Sequence, residues 1–382
     1  MKELYSRSPE AQLLLDIIKN RPITSLEGIN FPFFLNLSAR HNLIPTVFLS
    51  LRKQKDLKIP PEAYPSLQST YSAVFSVNVG LWKEFLSLNS SLRKNNIPFL
   101  PIKGMDILTR FFPSFDLRHM CDIDILIKEE DLPKTEALLL KEGYVKHLKG
   151  LTEAYWRNTH FQFEFAKGPV AVDLHWRLDF KRRSEGLMPL IWERTEEVVV
   201  LGNKIRLLSA EDSLFAFALH LRRFGFSFSL QRVLDAAKII RETDNFDWGY
   251  IIQQAQALRI QATLYFVLAQ IGIFTGTEVP GAVLKQLRIG WLQKKMIESL
   301  IKRCTFRNGE SLRADYLKTH FLLYDSYLEP LAYIINIPQE QFCHFFSFKH
   351  YSKQARLLYK LRLLYMPLAF LTRKNKESAG VI

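Results

Sequence analysis

The run His119–Ile127, HMCDIDILI, sets two carboxylates two residues apart in a segment otherwise built for burial. Ile123, Ile125, Leu126 and Ile127 are β-branched or apolar and describe a strand. Residues i and i+2 of a strand share a face, so Asp122 and Asp124 emerge side by side, about 6–7 Å apart. The three apolar residues after Asp124 mark a central strand covered on both faces. A solvated strand edge is the alternative, and the apolar flanks weigh against it. A buried carboxylate must be paired or bound to a cation. The fold must therefore bring compensating positive charge into the middle of a sheet, and a divalent metal is the usual form of it, because hard cations take oxygen ligands.

The sequence around this run divides by texture. Residues 1–90 read as helices: SPEAQLLLDIIKN (8–20) opens on Ser-Pro-Glu with apolar residues on a helical period, and 31–54 and 70–96 continue in that manner. Residues 91–208 are mixed. IPFLPIKG (97–104) is a short apolar run stopped by Gly104, MDILTRFF (105–112) reads as a short helix, and EEDLPKTEALLLKEG (129–143) as a helix with acids at its start and Lys141 near its end. HFQFEFA (160–166) alternates as a strand, VAVDLHW (170–176) follows across Lys167-Gly168-Pro169, and EEVVVLGNKIRLLS (196–209) turns back at Gly202-Asn203. At Ser209 the Ser-x-x-Asp start signal opens a helical stretch, residues 209–280, and helices are expected to the end, through a C-terminal region 281–382. The fold class is thus α+β, a small mixed sheet with flanking helices between N-terminal and C-terminal helical regions.

Two further features of the mixed segment bear on chemistry. Lys103-Gly104 falls at a strand-to-helix turn, where glycine lets backbone N–H groups approach an anion closely; the plainer reading is a structural glycine. Asp173 sits mid-strand in VAVDLHW, and a strand beside the first brings it to the same ions as Asp122 and Asp124. Three such acids and two Mg²⁺ ions, with Mn²⁺ as the substitute, form the two-metal device for phosphoryl transfer.

These segments, LPIKGMDILTRFF, then DLRHMCDIDILIKEEDLPKTEALLLKEGY, then HFQFEF and VAVDLHWRL, resemble the uncharacterised bacterial nucleotidyltransferase family, a branch of the DNA polymerase beta-like superfamily. LFAFALHLRRFGFSFSLQRVLDAAKIIRETDNFDWGYIIQQAQAL is similar to its helical segment, and the likeness covers roughly residues 70 to 280. The resemblance implies metal-dependent transfer of a nucleoside monophosphate from an NTP such as ATP to an unidentified acceptor. By match, Asp122 and Asp124 bind metal, and Asp173 binds the second metal and helps deprotonate the acceptor hydroxyl. Gly104 approaches the phosphates, and residues 209–280 close the cleft. The superfamily's usual Gly-Gly or Gly-Ser turn reads Lys103-Gly104-Met105 here, so the phosphate-contacting serine is missing; Lys103 and Arg118 are the candidates to supply charge.

His175 shares the face of Asp173 and is either a substrate or supporting contact or a packing histidine; His160, one strand earlier, matches the family pattern. His119 reads as a loop residue, and His220, Arg222, Arg223, Arg232 and Asp235 lie on helices after the sheet, Arg232 and Asp235 at the i, i+3 spacing of a helix ion pair. Cys121, Cys304 and Cys343 are too scattered for a disulfide framework or a zinc site, which fits a reducing cytoplasm, and the start lacks an apolar signal core. The formal charge of +14 favours polyanionic partners or is simply a solvated basic surface. It is most one-sided from Phe342 to Lys376, which holds no Asp or Glu. That tail reads as a packed helix with its basic face in water, as a contact for anionic lipid at the inner face of the membrane, or, with less support, as a nucleic-acid contact. A catalytically inactive binding or regulatory protein and a peripheral membrane module are the alternatives to an enzyme; the intact acid triple argues for the enzyme.

Overall fold

Strand alternation builds the sheet and decides which of its faces is dry. The computed structural model describes residues 8–372 apart from 55–56, 58, 112–113, 180–185, 226–228, 307–317, 320, 327 and 350–351. Five strands, β1 (Phe99–Pro101), β2 (Asp122–Ile127), β3 (Val145–His147), β4 (Gln162–Lys167) and β5 (Val170–His175), lie in the order β1-β2-β5-β4-β3. β2 and β5 run parallel and the other neighbours antiparallel, so the sheet is mixed, with the parallel pair inside it. A separate hairpin, β6 (Glu196–Val200) and β7 (Asn203–Leu207), turns at Leu201-Gly202, both with positive φ (48° and 77°), as a tight two-residue hairpin turn demands.

Ile123, Ile125 and Ile127 of β2 point to one face with Phe163, Phe165, Val172 and Leu174 of β4 and β5, all fully buried. They pack against α4 (Tyr64–Lys94), α6 (Leu132–Lys141) and α7 (Glu153–Thr159), which supply Trp82, Phe85, Leu139, Tyr155 and Trp156 to the same core. The period of two sends Asp122, Asp124, Asp173 and His175 to the opposite face.

That second face meets a larger helical core. Its N-terminal helices are α1 (Pro9–Ile18), α2 (Phe31–Arg40) and α3 (Ile44–Lys53). The helical segment 31–54 is two helices: Asn42 takes a left-handed φ of 59° and Pro45 restarts the helix where its missing N–H is harmless. α5 (Lys103–Phe111) follows β1 directly; after α8 (Leu187–Glu193) come α9 (Ala210–Phe224), α10 (Leu230–Arg241), α11 (Trp248–Ala257) and α12 (Gln261–Thr275). α9 begins at the expected signal, Ser209 Oγ accepting from Asp212 N at 3.2 Å. α12 is buried nearly all round, with Leu264, Phe266, Val267, Leu268 and Ile271 joining the N-terminal helices to α9 and α10. β3, α7 and α8 are too short for any periodicity to mark them in the sequence.

Beyond them lie α13 (Gly281–Gln286) and α14 (Trp291–Cys304). α15 (Leu328–Asn336), α16 (Gln339–Phe345), α17 (Lys353–Lys360) and α18 (Arg362–Thr372) then enclose a third small core around Phe342, Cys343, Phe346, Ala355 and Met366. Thr152 ties this unit to the start of α7 by donating its Oγ1 to Glu340 at 2.9 Å. Among the described residues, no helix is long and apolar enough to cross a membrane.

Candidate active site

The register of the parallel pair sets Asp124 directly opposite Asp173, and His175 follows Asp173 on the same face. One oxygen each of Asp124 and Asp173 and one ring nitrogen of His175 lie within 4.8 Å of one another, close enough for a single cation to meet all three. Asp122 shares the face, one strand step away and outside that group. The sheet therefore gathers the three expected acids, and adds His175 to the inner set.

Lys103 supplies the positive charge that the acid pair requires. Its Nζ donates to Asp124 Oδ1 at 2.5 Å and stands 3.2 Å from His175 Nε2, which is itself 3.0 Å from Asp124 Oδ1. Lys103 takes a left-handed φ of 53°, a conformation that costs a side-chain-bearing residue about 1–2 kcal/mol. Gly104 comes next, as the second residue of α5. A Cβ on Gly104 would stand 2.8 Å from Arg118 Nη1, so glycine is what lets the Arg118 guanidinium cross the start of α5.

Arg118 is held elsewhere along its length. Its Nε and Nη2 donate to Asp235 of α10, the Oδ2 contacts being 3.0 and 2.8 Å, with both side chains buried. Arg232 and Asp235, at the i, i+3 spacing of a helix pair, feel each other's charges, and Asp235 also reaches back to Arg118 and ties α10 to the loop ahead of β2. Arg232 is close enough to Arg118, Asp122 and Asp124 to feel their charges, and burial followed by Arg118 lowers its pKa.

Gln162 went unnoticed in the sequence. As a polar member of the alternation in HFQFEFA it lies on the acid face, where its Nε2 donates to Asp173 Oδ2 at 2.7 Å; Arg223 of α9 donates to its Oε1 at 3.4 Å. That alternation was the available signal. His160 packs on Trp156 at 4.1 Å between centroids, and Phe161 stacks between His160 and His175, at 5.8 and 6.0 Å and 26° from each. Arg222, by contrast, ion-pairs with buried Asp179 and serves the helical core. His119 stays in the loop before β2, as expected.

The electrostatics follow from crowding like charges in a dry place. Burial, then the Asp124 charge, push Asp122 up to about 6 and Asp173 up to about 7. Burial acts on Asp124 in the same direction, but the Lys103 ammonium and the His175 hydrogen bond outweigh it and hold that carboxyl well below the usual range. Burial, then Lys103, lower His175 to about 4, and burial, then Arg223, lower His160 to about 3. His220, on α9 above the same face, is also pushed well down, first by burial and then by Lys103. The site is thus one strongly ionised carboxylate flanked by two that hold protons close to neutral pH.

No curated protein matches the chain. A crystal structure of ANT(2")-Ia in complex with adenylyl-2"-tobramycin is similar over 46% of this chain and 95% of that one, at 13% identity and a TM-score of 0.35. A solution structure of the same antibiotic-resistance factor is similar over 48% and 98%, at 15% identity and a TM-score of 0.31. The sequence pattern of a family described as uncharacterised nucleotidyltransferase matches residues 27–276, well over half of the chain and all of the elements that build the site. The protein belongs to that family and is a nucleotidyl-transferring enzyme, with a nucleoside triphosphate as donor and a second molecule as acceptor.

Proposed function

We propose that the protein moves a nucleoside monophosphate from an NTP to a hydroxyl of a small-molecule, sugar or protein acceptor, using Mg²⁺ held by Asp122, Asp124 and Asp173. The observation that carries this reading is the acid face itself, three carboxylates on two adjacent parallel strands with two of them pushed up by burial and mutual repulsion. The carboxylates fit the ion: they are hard oxygens for a hard cation, and an added cation relieves their like charges. Bound Mg²⁺ supplies neutralisation of the triphosphate and a lowered pKa for the attacking hydroxyl.

The chain's own residues take the other roles. Asp173, beside the acceptor position on the acid face, accepts the hydroxyl proton. Gln162 fixes the rotamer of Asp173 from the far side, and His175 does the same for Asp124. Lys103, the N–H groups beside Gly104 and the Arg118 guanidinium meet the phosphates at the start of α5. On this reading residues 91–208 are the transfer core and 209–280 its helical cover.

Calorimetry with ATP, GTP, CTP and UTP, each with and without Mg²⁺, tests it. Folded wild type should bind at least one of them in a metal-dependent manner, and Asp122→Ala/Asp124→Ala should weaken that binding by about a hundredfold or more. Absence of binding by folded wild type to all four would overturn the reading in favour of an inactive binding module.

Protons give a second expected result. A cation must displace the protons held at Asp122 and Asp173, so Mg²⁺ affinity should rise about tenfold or more from pH 6 to pH 8, with proton release seen as a buffer-dependent heat. Affinity flat across that range would show that a cation displaces no proton from either carboxyl. Stability is a poorer readout, because the signs oppose. The two raised carboxyls favour the fold fully below their ordinary 3.8 and lose that contribution as pH rises through about 6 and 7. His160 and His175 favour it above 6.5 and lose theirs as pH falls towards about 3 and 4.

A further inference from the structure

We propose that the C-terminal helices form a docking face for an anionic lipid surface, separate from the transfer site. α17 and α18 follow one another with only Leu361 between them, and their inner side is committed: Ala355, Met366 and Ala369 are buried, and Tyr359 donates its hydroxyl to Ile337 O at 2.8 Å. Their outer side is apolar where a water-facing helix would be polar. Leu364 and Leu368, four apart on one face of α18, are exposed by 69 and 61%, and Leu357 of α17 and Leu361 between the helices by 59 and 46%. α15 packs against α18 and exposes Leu328 and Ile335 in turn. Leucines this open and this contiguous are unusual for a surface that meets only water.

The charge beside the stripe selects the occupant. At about 100° per residue, Lys353, Arg356 and Lys360 fall along one flank of the leucines, and all three are exposed. Arg362 has a different task, donating to Ile335 O at 3.1 Å and to Tyr359 O at 3.1 Å, so it clamps α15 to the helix pair. Arg373, Lys374 and Lys376 lie outside the described residues. From Phe342 to Lys376 there is no carboxylate to pair with these cations. A second copy of the chain would bring the same positive flank against itself, and nucleic acid would leave the leucines in water. A bilayer surface with anionic headgroups satisfies both halves, since leucines enter the headgroup boundary while lysine and arginine stay with the phosphates. With no described helix able to span a bilayer, the contact is one of lying on the surface.

Vesicle co-sedimentation of the full chain tests this, using phosphatidylcholine alone and phosphatidylcholine mixed in equal parts with phosphatidylglycerol. Wild type should bind the mixed vesicles selectively, with affinity falling as salt rises. Leu364→Glu/Leu368→Glu changes only exposed positions, so it should keep the wild-type circular dichroism and metal-dependent nucleotide binding while losing vesicle affinity about tenfold or more. No binding to mixed vesicles, equal binding to both kinds, or undiminished binding by the variant would each overturn the proposal. A dimer seen by light scattering and dissolved by the same variant, without vesicle binding, would assign the face to a second copy instead.

Discussion

Asp173→Asn is expected to keep nucleotide binding and to slow transfer about 10²–10⁴-fold, the range that removal of a positioned proton acceptor usually costs. The reasoning is geometric. Asparagine preserves the shape of the side chain, and the Gln162 amide at 2.7 Å can rotate to keep a hydrogen bond to it. Asp124, with Lys103 and His175, is untouched. What disappears is the carboxylate proposed to take the hydroxyl proton. The readout is pyrophosphate release from the donor that calorimetry identifies, with water standing in as acceptor. The variant should also be at least as stable as wild type without metal, because it removes a charge that Asp124 repels in a buried place. Unchanged pyrophosphate release would take Asp173 out of the chemistry; lost nucleotide binding would make it a binding residue.

The second large effect concerns stability. Asp235→Ala leaves the Arg118 guanidinium buried without its carboxylate, and breaking a buried pair from one side costs about 3–5 kcal/mol. In urea the midpoint should fall accordingly, with the denaturant slope unchanged. The double variant Arg118→Met/Asp235→Leu replaces both charges with apolar groups of similar bulk and should recover most of the loss. It should still bind nucleotide poorly, because the guanidinium near Gly104 is gone. Stability restored without nucleotide binding restored separates the two tasks of Arg118; recovery of both would confine it to structure. An Asp235→Ala midpoint within error of wild type would mean that water enters the pair freely.

How much of this was legible beforehand follows from the range of the interactions. β2, β4 and β5 were readable because alternation and β-branching are local, and the acids announced themselves by contradicting that pattern. The start of α9 was readable because a helix cap spans four residues. The reach of Asp235 to Arg118 was not, since Arg118 lies 117 positions away, whereas Arg232 has the local spacing of a helix pair. His175 was ambiguous for a similar reason: its value depends on β5 lying parallel to β2 with Asp173 opposite Asp124, and nothing within either strand states that register. Gln162 was visible only as polarity in an alternating strand, and its meaning arrives with its neighbour. The break at Asn42 was hidden because the apolar period runs through it, while the left-handed residue is a backbone event that asparagine tolerates without requiring it.

The order of strands also sets an order in time. Asp124 and His175 are 51 residues apart, and β3, α7 and β4 must be made between them. At a synthesis rate of about 5–20 residues per second, the first acid pair waits some seconds for the strand that completes it. β5 pairs locally with β4 across a short turn but must also pair with β2, a non-local step with the loop entropy that such closures carry. A growing chain that has released only its first two carboxylates has neither Asp173 nor His175 to set beside them. A chain that threads β5 wrongly never gains those neighbours.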